Sequence, residues 1–253
     1  MATYSATGIT LLARKYRGTG RVLTFYTRDR GRIEAVAQGI GKPGSSLAAS
    51  AELFTVSDLH LAEARGLDRL SQARVIEAFE PLRRDPVAYG YAGLLCEIVA
   101  HATPPDEPMP HVFDDLVDGL KLIAQGEDAL QVAAAAAWRI LGELGVAPDL
   151  RSCARCGVEI PGATVFLAAE GGVVGEECFT PLDGAAEVTV PISPPLRALT
   201  ETLATLPLER VPRIKVAPEL WQALLRVVRL QARFYLGLEL RADDYLRQLE
   251  RRA

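Results

Sequence analysis

The stretch TGITLLARKYRGTGRVLTFYTRDRGRIEAVAQ, residues 7–38, decides the fold. In it, short runs of β-branched and apolar residues are separated by polar segments that contain glycine, and such runs between turn residues predict β-strands. Two similar runs follow a loop that is rich in glycine, proline and serine. The five predicted strands lie at residues 6–13, 20–27, 31–38, 53–62 and 65–76.

Five short strands in the first 80 residues are typical of a small closed barrel. The OB-fold is the leading candidate, because it has five strands and commonly binds oligonucleotides. Periodicity alone leaves an SH3-like barrel open as an alternative.

The pattern changes after residue 80. Apolar residues then recur at spacings of three and four, as in amphipathic helices, and the alanine-rich segment 127–145 predicts a helix at the centre of a bundle. Residues 150–193 interrupt the helices with glycine, proline and three cysteines. The predicted fold is therefore α+β and multidomain. Its parts are an N-terminal five-stranded OB-fold barrel (1–80), an all-helical domain (81–149 and 194–253) and an irregular, zinc-knuckle-like insertion with an incomplete cysteine set (150–193).

The composition is that of a globular protein, with 49% hydrophobic and 24% charged residues among 253. There is no run of about 18 apolar residues that would predict a transmembrane helix, and the N-terminus lacks the features of a signal peptide. We therefore expect a cytoplasmic protein with no membrane partner. The sequence also lacks phosphate-binding, dinucleotide-binding and common hydrolase motifs, so we expect no catalytic residues and no enzyme.

Basic residues are concentrated in the first three strands and their turns. Although the net charge of the chain is −4, the segment 14–42 carries eight basic residues and two acids, a local net charge of +6. Lysine and arginine bind DNA by neutralising phosphates and releasing counterions. A solvated rim with no nucleic-acid partner is the alternative for the same charges. The candidate DNA-binding residues are Arg14, Lys15, Arg17, Arg21, Arg28, Arg30, Arg32 and Lys42.

Three aromatic residues, Tyr16, Phe25 and Tyr26, lie among these cations. Their rings can stack on the bases of a single strand or fill the core of the barrel. We expect Phe25 and Tyr26 in the core, and Tyr16 exposed, because it lies in the first predicted loop. Cys96, in an apolar helical segment, is expected to be a small buried residue.

The other three cysteines suggest a metal site that is one ligand short. Cys153 and Cys156 form a C-x-x-C pair, but Cys178 stands alone because Gly175 occupies the position of its partner. A structural zinc site takes four ligands. We expect a knuckle that has lost its metal and is held by packing, and therefore no cofactor; zinc held by the three thiolates and an added ligand is the alternative. The carboxylates that can add the fourth ligand are Glu176, Glu177 and Asp183.

A series of motifs runs through nearly the whole chain. Residues 7–43 are followed by LFTVSDLHL (53–61) and LDRLSQARVIEAF (67–79), then by C-x-x-C-G at 153–157 and GGVVGEEC at 171–178, and finally by RFYLGLEL (233–240). In this order they resemble the RecO family of bacterial DNA recombination and repair mediators. Gly175 departs from the family pattern, which has a cysteine there. The matching positions of the first motif are Gly8, Arg21, Thr24, Thr27, Gly31, Arg32, Ala35, Ala37 and Gly39.

The resemblance implies a non-enzymatic protein that binds single- and double-stranded DNA and anneals complementary strands. It implies that the protein works with RecR to load the RecA recombinase onto DNA coated by single-stranded DNA-binding protein, whose C-terminal tail the family's helical domain contacts. It also implies a cytoplasmic, nucleoid-associated location. Two alternatives remain: a module that binds RNA or a protein on the same barrel, and a small zinc hydrolase that uses Cys153, Cys156 and Cys178.

Overall fold

The structure, a computed structural model, describes residues 2–42, 44–179 and 189–251. Its first five strands form a closed barrel in the order β1-β2-β3-β5-β4. They are β1 (Thr3–Tyr16), β2 (Gly20–Thr27), β3 (Gly31–Ala37), β4 (Val56–Ala62) and β5 (Asp68–Glu77).

One parallel pair of strands closes the barrel. Ala35 of β3 lies opposite Asp68 of β5, and Val36 lies opposite Arg69. All other neighbouring strands of the barrel pair antiparallel. A five-stranded Greek-key barrel of this order is an OB-fold, so the predicted OB-fold is confirmed and the SH3-like alternative is excluded.

Alternate residues of the barrel strands face two different cores, because side chains of a strand point to opposite sides. Leu23 and Phe25 of β2 fill the barrel interior together with Leu59 of β4. Tyr26 of β2 and Ile9 of β1 are fully buried on the other side, in the core of the helical part. One face of the barrel is therefore covered by helices.

The helical part is built around α4. The alanines at 133–137 in this helix are fully buried, and a Cβ at Gly119 of α3 would lie 3.1 Å from the Cβ of Ala136. Small residues thus let the helices approach closely, as the alanine run predicts. No helix in the described ranges has the length and apolar character that crossing a bilayer requires. The helices are α1 (Glu80–Arg84), α2 (Pro86–Ala102), α3 (Pro110–Ala124), α4 (Ala129–Glu143), α5 (Pro194–Thr205), α6 (Pro218–Tyr235) and α7 (Arg241–Glu250).

Several element boundaries differ from those expected, most of all in β1, which runs from Thr3 to Tyr16 rather than over residues 6–13. The fourth strand begins at Val56 rather than at residue 53, because Phe54 has a φ of 70° and takes the chain out of the extended conformation. The apolar spacing of residues 217–240 predicts one long helix there, but α6 ends at Tyr235. Gly237, with a φ of 65°, turns the chain back so that the amide of Leu238 donates to the carbonyl of Ala232 at 3.1 Å, which is a common helix end.

The insertion is more regular than the sequence predicts. It contains a three-stranded antiparallel sheet in the order β7-β6-β8. Strands of three or four residues are too short to show a period of two, which explains why the segment reads as irregular. Residues 180–188 of the insertion lie outside the described part of the chain. The strands are β6 (Thr164–Leu167), β7 (Gly172–Val174) and β8 (Thr189–Ile192).

The β2–β3 turn is docked on the connector between α2 and α3. Gly31 at the start of β3 has a φ of 68°, and a Cβ there would lie 2.2 Å from the carbonyl oxygen of Glu107. The amide of Asp106 donates to the carbonyl of Arg32 at 3.1 Å. The Nε of Arg32 donates to the carbonyl of Thr103 at 3.0 Å. Backbone-to-backbone contact of this kind leaves no room for a side chain.

This contact predicts a large effect of Gly31→Ala on stability. The left-handed conformation costs an alanine about 1–2 kcal/mol, and the collision with Glu107 adds about 1–3 kcal/mol. Gly18→Ala is the matched control, because Gly18 has a φ of 61° but open space around its Cβ position. We expect Gly18→Ala to lower the free energy of unfolding, measured in urea, by only the conformational cost of about 1–2 kcal/mol. Equal losses for the two variants would show that the turn is not held against the connector.

Candidate nucleic-acid interface and metal site

Five of the eight candidate cations lie together at the barrel end that carries the β1–β2 turn. Arg14 and Lys15 lie at the end of β1, where Lys15 pairs with Arg21 at the start of β2. The loop after β3 folds onto the same turn, because the amide of Gly41 donates to the carbonyl of Thr19 at 3.1 Å. We call these five residues the first-turn cluster: Arg14, Lys15, Arg17, Arg21 and Lys42.

The first-turn cluster is only partly compensated by acids. Arg14 lies 3.5 Å from Glu34, and Arg21 lies 4.0 Å from Glu52, both as partly exposed ion pairs. The five cations and these two carboxylates together carry a net charge of +3. Exposed ion pairs of this length stabilise a fold by about 1 kcal/mol or less, so these cations can exchange their partners for phosphates.

The remaining three candidates lie at the opposite end of β2, which is roughly 23 Å away at the usual rise per residue. We call Arg28, Arg30 and Arg32 the second-turn cations. Arg28 makes a bidentate ion pair with Asp114 of α3, with both N–O distances 3.0 Å, and this pairing raises the pKa of Arg28. The guanidinium of Arg30 lies 4.1 Å from the ring centre of Tyr4. The structure therefore does not bring all eight cations onto one surface.

The aromatic residues lie where the sequence predicts, with one difference. Phe25 is buried in the barrel and Tyr26 in the helical core, and burial raises the pKa of Tyr26 to about 12. Tyr16 is half-buried rather than exposed, since it extends the end of β1 instead of lying in a loop. The guanidinium of Arg17 lies 5.8 Å from its ring centre.

Two residues that the sequence does not single out adjoin the first-turn cluster. Arg83, in the last turn of α1, and Tyr89, in the first turn of α2, line a cleft of about 360 Å³ together with Arg14, Lys15 and Arg21. More than 60 residues separate them along the chain from Arg14, Lys15 and Arg21. The signal in the sequence is an aromatic residue, Tyr89, three residues after the proline at which α2 starts.

The three cysteines of the insertion meet at one point. The Sγ atoms of Cys153, Cys156 and Cys178 lie within 4.8 Å of one another. The expected carboxylates Glu176 and Glu177 do not belong to this group, and Asp183 lies outside the described residues. Among the residues that the structure describes, the group therefore offers three thiols. Cys96 lies elsewhere, buried in α2 as expected.

Comparison with known proteins agrees with this geometry. The model of the C-terminal part of recombination protein O matches residues 83–244, and the model of its N-terminal part matches residues 1–79. The chain belongs to the RecO family. The DNA repair protein RecO of Pelotomaculum thermopropionicum is 32% identical over 246 residues, which cover 97% of this chain and 94% of that protein. The DNA repair protein RecO of Bacillus subtilis is 27% identical over 243 residues, 96% of this chain and 93% of that protein.

In this RecO-family chain, the metal position that lacks its cysteine is sterically open. Gly175 has a φ of −66°, and a Cβ there would lie 3.6 Å from Cδ1 of Ile160, an ordinary contact. Its amide lies 3.5 Å from Sγ of Cys153 and donates to it.

Hydrogen bonds shift the pKa values of Cys153 and Cys178 in opposite directions. The amide of Gly175, followed by those of Cys156 and Arg155, lowers the pKa of Cys153 to about 6. Hydrogen bonds to Cys156 and Cys153 raise the pKa of Cys178 to about 11. The thiolate form is therefore favoured at Cys153 and the protonated form at Cys178.

The group fits zinc in spacing and in chemistry. Zinc–sulfur bonds of about 2.3 Å in a tetrahedron place sulfur atoms roughly 3.8 Å apart, which the three Sγ atoms can meet with small movements. Three sulfur ligands leave one position of the tetrahedron to another donor. A metal would also neutralise the charge that accumulates when Cys178 loses its proton.

Proposed function

We propose that this chain binds single- and double-stranded DNA through the first-turn cluster and anneals complementary strands, as a non-enzymatic mediator. Membership of the RecO family supports a role in DNA repair and recombination. The observation that carries the proposal is the net positive first-turn cluster at the accessible end of an OB barrel. In the same proposal the barrel (1–80) is the DNA-binding unit, and the helical part (81–149 and 194–253) and the insertion (150–193) support it.

Annealing by such a surface needs no bond chemistry. Two complementary strands repel each other through their phosphates, and a surface that carries cations screens this repulsion and releases counterions. It also raises the local concentration of the strands. Base pairing then proceeds without a catalytic residue, which is why we propose a mediator rather than an enzyme.

The second-turn cations enter the proposal differently. Arg28 and Arg32 already hold the barrel on the helical part through Asp114 and Thr103. A phosphate would have to share or displace these partners. We therefore propose the first-turn cluster as the main contact, and keep Arg28, Arg30 and Arg32 as candidates for contacts with longer DNA.

The proposed partners follow from the family. We propose that the chain acts with RecR to load the RecA recombinase onto DNA coated by single-stranded DNA-binding protein, and that the helical part contacts the tail of that protein. The place of work would be the cytoplasm, in association with the nucleoid. Competition between single-stranded DNA and RNA separates this function from that of an RNA-binding module, because a clear preference for RNA would contradict a role in repair.

We further propose that Cys153, Cys156 and Cys178 hold zinc, with the fourth position filled by a donor from outside this group. Zinc would supply structural cross-linking of the knuckle. The three thiols close together in the described chain support this proposal. The alternative function for the same cysteines is a zinc hydrolase, which would require hydrolytic activity that is lost when the metal is removed.

The first-turn cluster predicts a defined dependence of DNA affinity on salt. If five phosphates of a single strand are neutralised, the logarithm of affinity should fall with the logarithm of salt concentration with a slope of about −3.5. Replacing Lys15, Arg17 and Lys42 together by alanine should reduce the slope to about −1.4, because three contacts are lost. The measurement is a fluorescence anisotropy titration at several salt concentrations.

The matched control removes the same charge elsewhere. Lys121, Arg213 and Lys215 are exposed cations of the helical part, and their replacement by alanine should leave the slope unchanged. A slope near zero for the unaltered protein, or an equal change in both triple variants, would refute the first-turn cluster as the contact.

Gly175→Cys predicts tighter zinc binding. The apparent free energy of zinc binding to a structural site with four ligands is about 10–16 kcal/mol. Each ligand contributes a share of it, so one added thiolate should raise the affinity for zinc by about tenfold or more. Competition with a chromophoric chelator measures the affinity. Gly142→Cys is the control, since Gly142 also has open space for a side chain but lies on α4. Absence of zinc in all three proteins would show a knuckle held by packing alone.

A further inference from the structure

The cleft beside the first-turn cluster combines charge with an aromatic wall. Its volume of about 360 Å³ falls in the range of small-ligand sites. The barrel contributes Arg14, Lys15 and Arg21, and Arg83 adds a fourth cation from the end of α1. Glu52 is the sole carboxylate that lines it among the described residues, so the walls carry a net positive charge of three.

Tyr89 forms the aromatic part of the wall. The residue is 36% exposed. Two other rings fix its orientation: Phe54 at 5.4 Å and Tyr245 at 5.9 Å, both edge-to-face. The ring thus lines the cleft while two neighbouring rings hold it in place.

The backbone beside the cleft is held in an unfavourable conformation. Phe54 is fully buried with a φ of 70°, a conformation that costs a residue other than glycine of the order of 1 kcal/mol or more. Its amide donates to the carbonyl of Thr10 at 3.0 Å. The turn directs the carbonyl of Leu53 at Arg83, whose Nη1 donates to it at 2.8 Å. One turn thus supports Tyr89 and anchors the cation of Arg83.

We propose that this cleft takes one unstacked nucleotide of a single strand, with its phosphate on Arg14, Lys15 and Arg21 and its base against Tyr89. This inference rests on the proposed DNA binding, and adds how single strands are distinguished from duplex. A base in a duplex is stacked and paired, so it cannot enter the cleft. A base of a single strand has a free face, and stacking on an aromatic side chain contributes about 1–3 kcal/mol.

The test compares Tyr89→Leu with Tyr89→Phe. Leucine keeps apolar volume beside Phe54 but cannot stack, whereas phenylalanine keeps the ring. Tyr16→Leu is the control for the other aromatic residue near the cluster. Affinities for a short single strand and for a duplex of equal length are measured at one salt concentration. A single strand that contains 2-aminopurine reports stacking directly, because its fluorescence is quenched when the base stacks.

We expect Tyr89→Leu to weaken single-strand binding roughly 5- to 150-fold and to abolish the quenching. Duplex binding should change less than about twofold, and Tyr89→Phe and Tyr16→Leu should behave like the unaltered protein. Unchanged single-strand affinity for a folded Tyr89→Leu variant would overturn the inference, and so would equal loss of single-strand and duplex binding. Failure of the unaltered protein to bind either form would instead refute the proposed function.

Discussion

The contact between the β2–β3 turn and the connector from α2 to α3 determines which end of the barrel is accessible. Gly31 lies so close to the backbone of Glu107 that no side chain fits between them. Arg28 and Arg32 reinforce the contact through Asp114 and the carbonyl of Thr103. Because this end is pressed against helices and its cations have protein partners, the free positive charge of the barrel is at the other end, in the first-turn cluster.

The same docking creates the cleft. Once the barrel is fixed on the helical part, the end of β1 lies beside α1 and α2, and cations of the barrel meet Arg83 and Tyr89. Neither unit has the complete set of groups, since phosphate-binding side chains come mainly from the barrel and the exposed ring comes from a helix. A surface assembled in this way would lose its single-strand selectivity if the units separated, while the cluster itself would keep its charge.

The sequence predicts the barrel well, because apolar and β-branched runs are separated by clear turns, and the buried positions of Phe25 and Tyr26 follow from these runs. It does not reveal the partners of the cations. Asp114 lies 86 residues from Arg28, and such pairings depend on how the barrel sits on the helices. The left-handed Phe54 is also unpredictable, because local preference opposes it and tertiary hydrogen bonds impose it. In the insertion, the cysteine group follows from spacing, whereas the short strands carry too little pattern.

The knuckle has stabilising contacts that do not require a metal. The amide of Cys153 donates to the carbonyl of Val158 at 2.9 Å, and the amide of Gly157 donates back to Cys153 at 2.8 Å, so the C-x-x-C turn is closed by its own backbone. Arg155 ties it to Glu170 at 2.8 Å. Cys153 is buried with Leu167 and Val174 in a small core of its own. Loss of one thiolate at Gly175 therefore removes a metal ligand without removing the fold of the knuckle. This explains how a departure from the family pattern can be tolerated there, far in sequence from the cations proposed to bind DNA.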